Sequence, residues 1–304
     1  MTRTAISPRF AIRTFFSTLD LSMGDRRASR LDTVIFADSD TFTDPRVCAM
    51  TEHGFTVERF ESIDSTNTYL MERSCAGAPA GLVAVADFQT AGRGRLDRRW
   101  EAPPASCLLT SILLREPLPA DQLHLATAAV ALAAVAAIAS LSGRGPDVKW
   151  PNDLLFDGSK VAGVLAEADA RAWDGAPGTT AIVVGIGINL TWPGPPGVGG
   201  TSVEAATGVG PGRDELLDAL LCELEGRRRL LASPEGRAVL ASELELRTVT
   251  IGQEVRVELG AGVIEGRAVG INQLGHLLVA VEGNTRAIAA GDVVHLRPSP
   301  PPAV

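Results

Sequence analysis

The residues best suited to chemistry in this chain lie where arginine alternates with glycine. Gln89 to Trp100 reads Gln-Thr-Ala-Gly-Arg-Gly-Arg-Leu-Asp-Arg-Arg-Trp, setting Arg93, Arg95, Arg98 and Arg99 against one acid, Asp97. Glycine lets backbone take positive φ and close over a ligand, while guanidinium forks bind phosphate or carboxylate through paired hydrogen bonds. The stretch has the makings of an anion grip, although a solvated surface turn would carry the same charges. Lysine is scarce: of 28 basic residues only Lys149 and Lys160 are lysines. Both fall in one segment, which marks places where a compact ammonium does what a planar guanidinium does not. Asn152 and Asp153 lie between them, and Gly185-Ile186-Gly187-Ile188-Asn189 closes a later apolar run.

Common phosphate-binding motifs do not account for this set. After Gly185 and Gly187 the third glycine of a dinucleotide fingerprint is replaced by Leu190, and a Trp-Pro-Gly-Pro-Pro loop stands where a helix should begin. Neither lysine follows a glycine and precedes Ser or Thr, so a Walker lysine is excluded. Cysteines 48, 75, 107 and 222 are too scattered for a zinc ribbon and read as reduced cytosolic thiols. A net charge of −8 argues against a duplex-DNA footprint, so anion recognition must be local.

The elements that must position these residues follow from hydrophobic pattern. Phe55 to Phe60 alternates as a strand, and Ser62 to Asn67 offers helix-capping side chains before Tyr69-Leu70-Met71. Ser65, Thr66 and Asn67 then cap a helix, or turn their polar groups to a ligand at its N-terminus. Residues 81–88 and 106–114 read as buried strands, the first delivering the arginine stretch from its C-terminal end. Residues 120–141 are alanine-rich; their uncharged part, 125–141, is short for a membrane span and reads as a core helix with His124 capping or exposed at its start. Asp147 to Phe156 and Lys160 to Glu167 read as a hairpin in which Lys149, Asn152, Asp153 and Lys160 converge. Residues 180–190 form another buried strand, 192–212 a long loop, and 214–232 and 234–246 amphipathic helices. Val249 to Leu296 gives about five short alternating runs, a pattern that closes naturally as a small β-barrel.

A polar helix start, an arginine-glycine lid, two lysines flanking Asn-Asp and a Gly-x-Gly-x-Asn strand end suit a nucleoside triphosphate attacked by a carboxylate. Ser65-Thr66-Asn67, Gln89 to Trp100, Lys149-Trp150-Pro151-Asn152-Asp153, Lys160-Val161-Ala162-Gly163 and Gly185 to Asn189 resemble, in order and spacing, the motifs of biotin protein ligases, across about residues 56–297. The resemblance implies an α+β fold: a central mixed sheet like that of class II synthetases, flanked by helices, with a small SH3-like C-terminal barrel. It implies two steps, in which biotin and MgATP give biotinyl-5′-AMP and pyrophosphate, and a lysine of a biotin carboxyl carrier domain of the acetyl-CoA-carboxylase type then takes the biotinyl group. Carried over by position, the biotin contacts are Ser65, Thr66, Asn67, Gln89, Gly92, Arg93, Trp100, Lys160 and Gly163. The nucleotide contacts are Arg93, Arg95, Arg98, Lys149, Asn152, Lys160 and Asn189, with Lys160, Asp153 and Arg95 catalytic and no resident metal beyond the Mg2+ that accompanies ATP.

The resemblance also divides the chain into an N-terminal extension (1–52), a catalytic domain (53–246), a C-terminal domain (247–297) and a Pro-rich tail (298–304). Residues 1–52 are arginine-rich at their start and show no helix-turn-helix pattern, so a monofunctional cytoplasmic ligase without DNA or membrane partners is expected. A homodimer is compatible with it. One departure stands in the lid, where the family has a basic or polar residue and then glycine and this chain has Leu96 and Asp97. The competing readings are a lipoate or octanoate ligase or transferase of related fold, and a non-catalytic biotin-sensing regulator.

Overall fold

The apolar runs of the sequence become the inner strands of one large sheet. The computed structural model describes residues 48–50, 54–169, 179–259, 262–289 and 291–296; the expectations for 1–47, 51–53 and the tail lie outside the described residues. The sheet comprises β1 (Cys48–Met50), β2 (Thr56–Ile63), β3 (Leu82–Gln89), β4 (Cys107–Glu116), β5 (Asp147–Lys149), β6 (Asp153–Phe156), β7 (Ser159–Asp169) and β8 (Thr180–Asn189). Its spatial order is β1-β2-β3-β4-β8-β7-β6-β5. Among the described strands of this sheet only β2 and β3 pair in parallel, joined by α1 (Thr66–Cys75), so the sheet is mixed.

Both faces of the sheet are covered, which explains why β3, β4 and β8 read as continuous apolar runs. On one face α1 sets Tyr69 and Leu70 against Ala84, Ala86, Leu113 and Val183. The other face carries α2 (His124–Ser142), whose residues Leu125 to Val135 are all buried, backed by α4 (Arg213–Leu231) and α5 (Pro234–Arg247). Span 120–142 is the one among the described residues long and apolar enough to cross a membrane; here it is the core helix that its alanine-rich sequence suggested. Each fully buried Leu, Ile or Val contributes roughly 1.5–3 kcal/mol.

Three local readings change. The run from Asp147 to Phe156 is two strands rather than one, because Pro151 has no N–H to give a ladder and Asn152 N instead turns back to Lys149 O at 3.2 Å. The span read as loop contains α3 (Val203–Thr207), started by Ser202 Oγ accepting from Ala205 N at 3.1 Å and ended by Gly208 at φ 76°. His124 neither caps nor lies free on the surface. It is half-buried, with Nε2 2.9 Å from the carbonyl oxygen of Leu274, far along the chain.

That carbonyl lies in the turn between β10 and β11 of a second, antiparallel SH3-like sheet of β9 (Glu254–Leu259), β10 (Gly262–Ile271), β11 (Leu277–Val281), β12 (Asn284–Ile288) and β13 (Asp292–His295), ordered β12-β11-β10-β9-β13. The five alternating runs of the sequence are its five strands. Trp150, 1% exposed, joins the two sheets: its backbone N–H donates to Thr250 Oγ1 at 3.1 Å and its indole to Gly275 O at 3.4 Å.

Candidate active site

Strand register builds the floor of the site. Ser111 of β4 stands opposite Gly185 of β8, which stands opposite Leu165 of β7; one step along, Leu109, Gly187 and Gly163 form the next row, and Cys107 faces Asn189 in the third. Side chains alternate across a strand, so these rows share one face. The glycines keep that face low. A Cβ on Gly185 would overlap Asn67 Oδ1, and one on Gly187 would lie 2.5 Å from Trp100 Cε2. They make room for Asn67 and for the Trp100 indole, in addition to any ligand.

Above the first row lies an inner cavity of about 30 Å³, lined among others by Ser65, Thr66, Gln89, Arg93, Trp100 and Gly163. Ser65 caps α1, its Oγ accepting from Thr68 N at 3.4 Å, which turns Thr66 and Asn67 toward the sheet. Thr66 N donates to Gln89 Oε1 at 2.8 Å, and Thr66 Oγ1 lies 2.7 Å from Ser111 Oγ. Ser111 Oγ donates to Asn67 Oδ1 at 2.6 Å, and Asn67 Nδ2 donates to Glu167 Oε2 at 3.0 Å. Glu167 in turn pairs with Arg93, NH1 to Oε2 at 3.0 Å and NH2 to Oε1 at 2.9 Å. Ser65, Thr66, Asn67, Ser111 and Glu167 are all buried, so the cavity wall is a connected polar string set in an apolar sheet.

An outer cavity of about 340 Å³ adjoins it, lined by Arg95, Arg98, Trp100, Asn152, Asp153, Lys160, Asn189 and Asp292 among others. Trp100 lines both cavities, and its buried Nε1 has no hydrogen-bond partner among the described residues. A buried N–H of this kind is open to a ligand acceptor. Lys160 Nζ sits 2.6 Å from Asp153 Oδ1 and 5.7 Å from the centre of the Trp100 ring, at the join of the two spaces. Asn189 is 4% exposed; its amide donates to Thr201 O at 2.9 Å and accepts the Cys107 thiol at 3.4 Å, where burial pushes the thiol pKa up.

The arginine stretch forms a tight loop across the mouth. Gly94 N donates to Arg98 O at 2.7 Å and Trp100 N to Gly92 O at 3.0 Å. Its arginines reach both sheets. Arg95 donates to Asn152 Oδ1 at 2.7 Å and to Gly291 O at 2.8 Å, and Arg98 pairs with Asp292 at 2.7 Å. Burial lowers the Arg95 pKa, opposed by the charges of Asp292 and Asp153.

Most of the expected site residues therefore meet around the two cavities. Asn152, Asp153 and Lys160 converge, but Lys149 lines neither cavity: it lies on the edge strand β5, and its charge, after burial, helps lower the pKa of His295. Gly92 sits beneath the Trp100 carbonyl instead of lining the inner cavity. Ser111, Glu167, Gly291 and Asp292 join the site, although the sequence reading placed them in strands and a turn and did not name them as site residues. Ser111 and Glu167 left a faint signal, as polar residues within runs that are otherwise apolar.

Residues 59–189 match the model of the biotin/lipoate A/B protein ligase family, and residues 250–296 match the biotin protein ligase C-terminal domain. The biotin–acetyl-CoA-carboxylase ligase of Mycobacterium tuberculosis is 37% identical, the match covering 77% of this chain and 86% of that protein. The bifunctional ligase/repressor BirA of Escherichia coli is 31% identical, covering 76% and 71%. The biotin protein ligase of Aquifex aeolicus, solved in complex with biotin and ATP, superposes with a TM-score of 0.68 at 28% identity, over 80% of this chain and 99% of that one. With sequence, fold and the arrangement at the strand ends in agreement, the chain belongs to the biotin protein ligase family.

Proposed function

We propose that this protein activates biotin with ATP and transfers it to a lysine of a biotin carboxyl carrier domain of the acetyl-CoA-carboxylase type. The observation that carries the reading is the meeting of a small polar cavity and a larger cation-rich one at Lys160 and Trp100. Biotin takes the inner cavity, its ring system against Ser65, Thr66, Asn67 and Gln89 and its carboxylate toward Lys160; at about 30 Å³ the space is too small for the ring system, so Trp100 and the arginine loop move outward to admit it. ATP occupies the outer one, with Asn189 at the adenine, Arg95 and Arg98 over the phosphates, and Arg93 reaching toward the join from the inner cavity. A carboxylate oxygen bonds to the α-phosphorus as the bond to pyrophosphate breaks; the acceptor amine then attacks the acyl carbon, AMP leaves and the amine loses a proton.

Lys160 lowers the repulsion between carboxylate and phosphate as they approach, and Asp153 holds its ammonium in place. Arg95 offsets charge on the phosphate from the loop side. Mg2+ enters with the nucleotide. We take residues 53–246 as the catalytic domain and 247–297 as a domain that closes the nucleotide end of the site. Cytoplasmic ATP and reduced thiols fit this chemistry.

Biotin-dependent exchange of pyrophosphate into ATP tests the reading. Wild type is expected to exchange with biotin and not with lipoate, and Lys160→Ala to lose about 100- to 1000-fold, the usual cost of removing one preorganised charge-stabilising group. Exchange driven by lipoate, or an unimpaired Lys160→Ala protein, would refute it.

A further inference from the structure

We infer that Glu167 is a positioning residue for biotin activation, fixing the Arg93 guanidinium over the inner cavity and coupling it to the wall that receives the biotin ring. The inference rests on the ligase reading above and adds a residue outside the recognised motifs.

Glu167 is 7% exposed on β7, a strand whose register with β8 fixes its place. Arg93 belongs to a surface loop, and its side chain is 39% exposed. A long, exposed arginine samples many rotamers, whereas one held by a charged hydrogen bond and a second ion-pair contact to a strand-borne carboxylate keeps few of them. Arg93 is held in this way: NH1 donates to Oε2 at 3.0 Å and NH2 lies 2.9 Å from Oε1 as an ion pair. The hydrogen bond uses one of the five N–H groups of the guanidinium and leaves others for an anionic ligand.

The same carboxylate accepts from Asn67 Nδ2 at 3.0 Å, and Asn67 continues through Ser111 and Thr66 to Gln89. Five structural pieces, namely the loop, β7, α1, β4 and β3, thus share one string of polar side chains. The wall residues and the lid arginine are held in a common frame, and a ligand that orders one end orders the other. Glu167 does not line the inner cavity itself, so it acts through Arg93 and Asn67. Its negative charge weakens the pull of Arg93 on an anion, so the contribution of Glu167 is orientation.

Glu167→Gln isolates the Arg93 arm. The amide oxygen still serves Asn67, which also keeps Leu165 O at 3.3 Å, while the charged pairing is lost. In the full-length protein, Glu167→Gln is expected to raise the KM for biotin and the rate of biotinyl-adenylate release about tenfold, with a smaller fall in the kcat of pyrophosphate exchange. Arg93→Ala is expected to raise release to a similar extent, and the double variant no further than either single one. Should Glu167→Gln fail to fold, Arg93→Lys tests the same pairing, since it keeps the charge without the second nitrogen against the carboxylate, and release is again expected to rise about tenfold. Release unchanged in Glu167→Gln or Arg93→Lys, or multiplicative effects in the double variant, would overturn the proposal. A wild-type protein without biotin-dependent exchange would instead overturn the ligase reading on which it stands.

Discussion

Leu96 and Asp97 sit at φ 55° and 58° in the arginine loop, the left-handed region where a Cβ crowds the backbone. Two consecutive residues there cost on the order of 1 kcal/mol each, with aspartate tolerating the conformation better than leucine. What opposes this strain at the loop tip is modest. The Arg98 to Asp292 ion pair spans 2.7 Å, but the Arg98 side chain is 67% exposed, and exposed pairs stabilise little. The closed loop therefore carries a cost that glycine at position 97 would remove, along with a carboxylate that lowers the positive potential near the phosphates. Asp97→Gly is expected to slow release of preformed biotinyl-adenylate about fivefold, the equivalent of ~1 kcal/mol. A pulse-chase measurement giving equal release from both proteins would show that the loop tip does not limit retention.

Among the elements, β8 shows how glycine spacing divides between stability and binding. Gly185 lies under buried Asn67, so Gly185→Ala forces a side chain out of the polar string and is expected to cost roughly 1–3 kcal/mol in unfolding free energy, as overpacking of a core does. Gly187 lies under Trp100, which is only half-buried and can move. Gly187→Ala is expected to leave the melting temperature nearly unchanged while weakening biotin and ATP binding at least tenfold. Thermal unfolding and calorimetric titration separate the two, and equal effects at both positions would contradict this division. The sequence made β8 legible because both sheet faces are covered, and the motif glycines were visible, but their purpose was not: seating Asn67 and Trp100 depends on register with β4 and β7. For the same reason Glu167 was read as the end of an apolar strand and Ser111 as part of one, since only tertiary neighbours make them members of a site. Arg93, Arg95 and Lys160 stood out by type and spacing, whereas Gly291 and Asp292 belong to a second sheet whose docking no local pattern records.

At the scale of the whole molecule, that docking ties the site to pH. His124 at the start of α2 lies 2.9 Å from the Leu274 carbonyl of the second sheet, and its ring centre is 5.2 Å from that of His276, whose own Nε2 is 3.2 Å from Asp121 O. Burial first, and His276 second, lower the His124 pKa to about 4, against weaker opposition from the Leu274 and Gly275 backbone and the charge of Asp121. A histidine with a depressed pKa binds its proton more readily when the chain is unfolded. Stability is therefore fully present above the unfolded value near 6.5, falls as pH drops, and levels off below about 4. The loss from this residue is up to roughly 3 kcal/mol, and His295, whose pKa is also lowered by burial and by Lys149, acts in the same direction. The second sheet also supplies Gly291 and Asp292 to Arg95 and Arg98, so loosening it releases the loop. Melting temperature is expected to fall and adenylate release to quicken between pH 6.5 and 4, with both slopes shallower in His124→Gln. Parallel pH profiles for wild type and variant would mean that the contact between the sheets does not depend on a neutral His124.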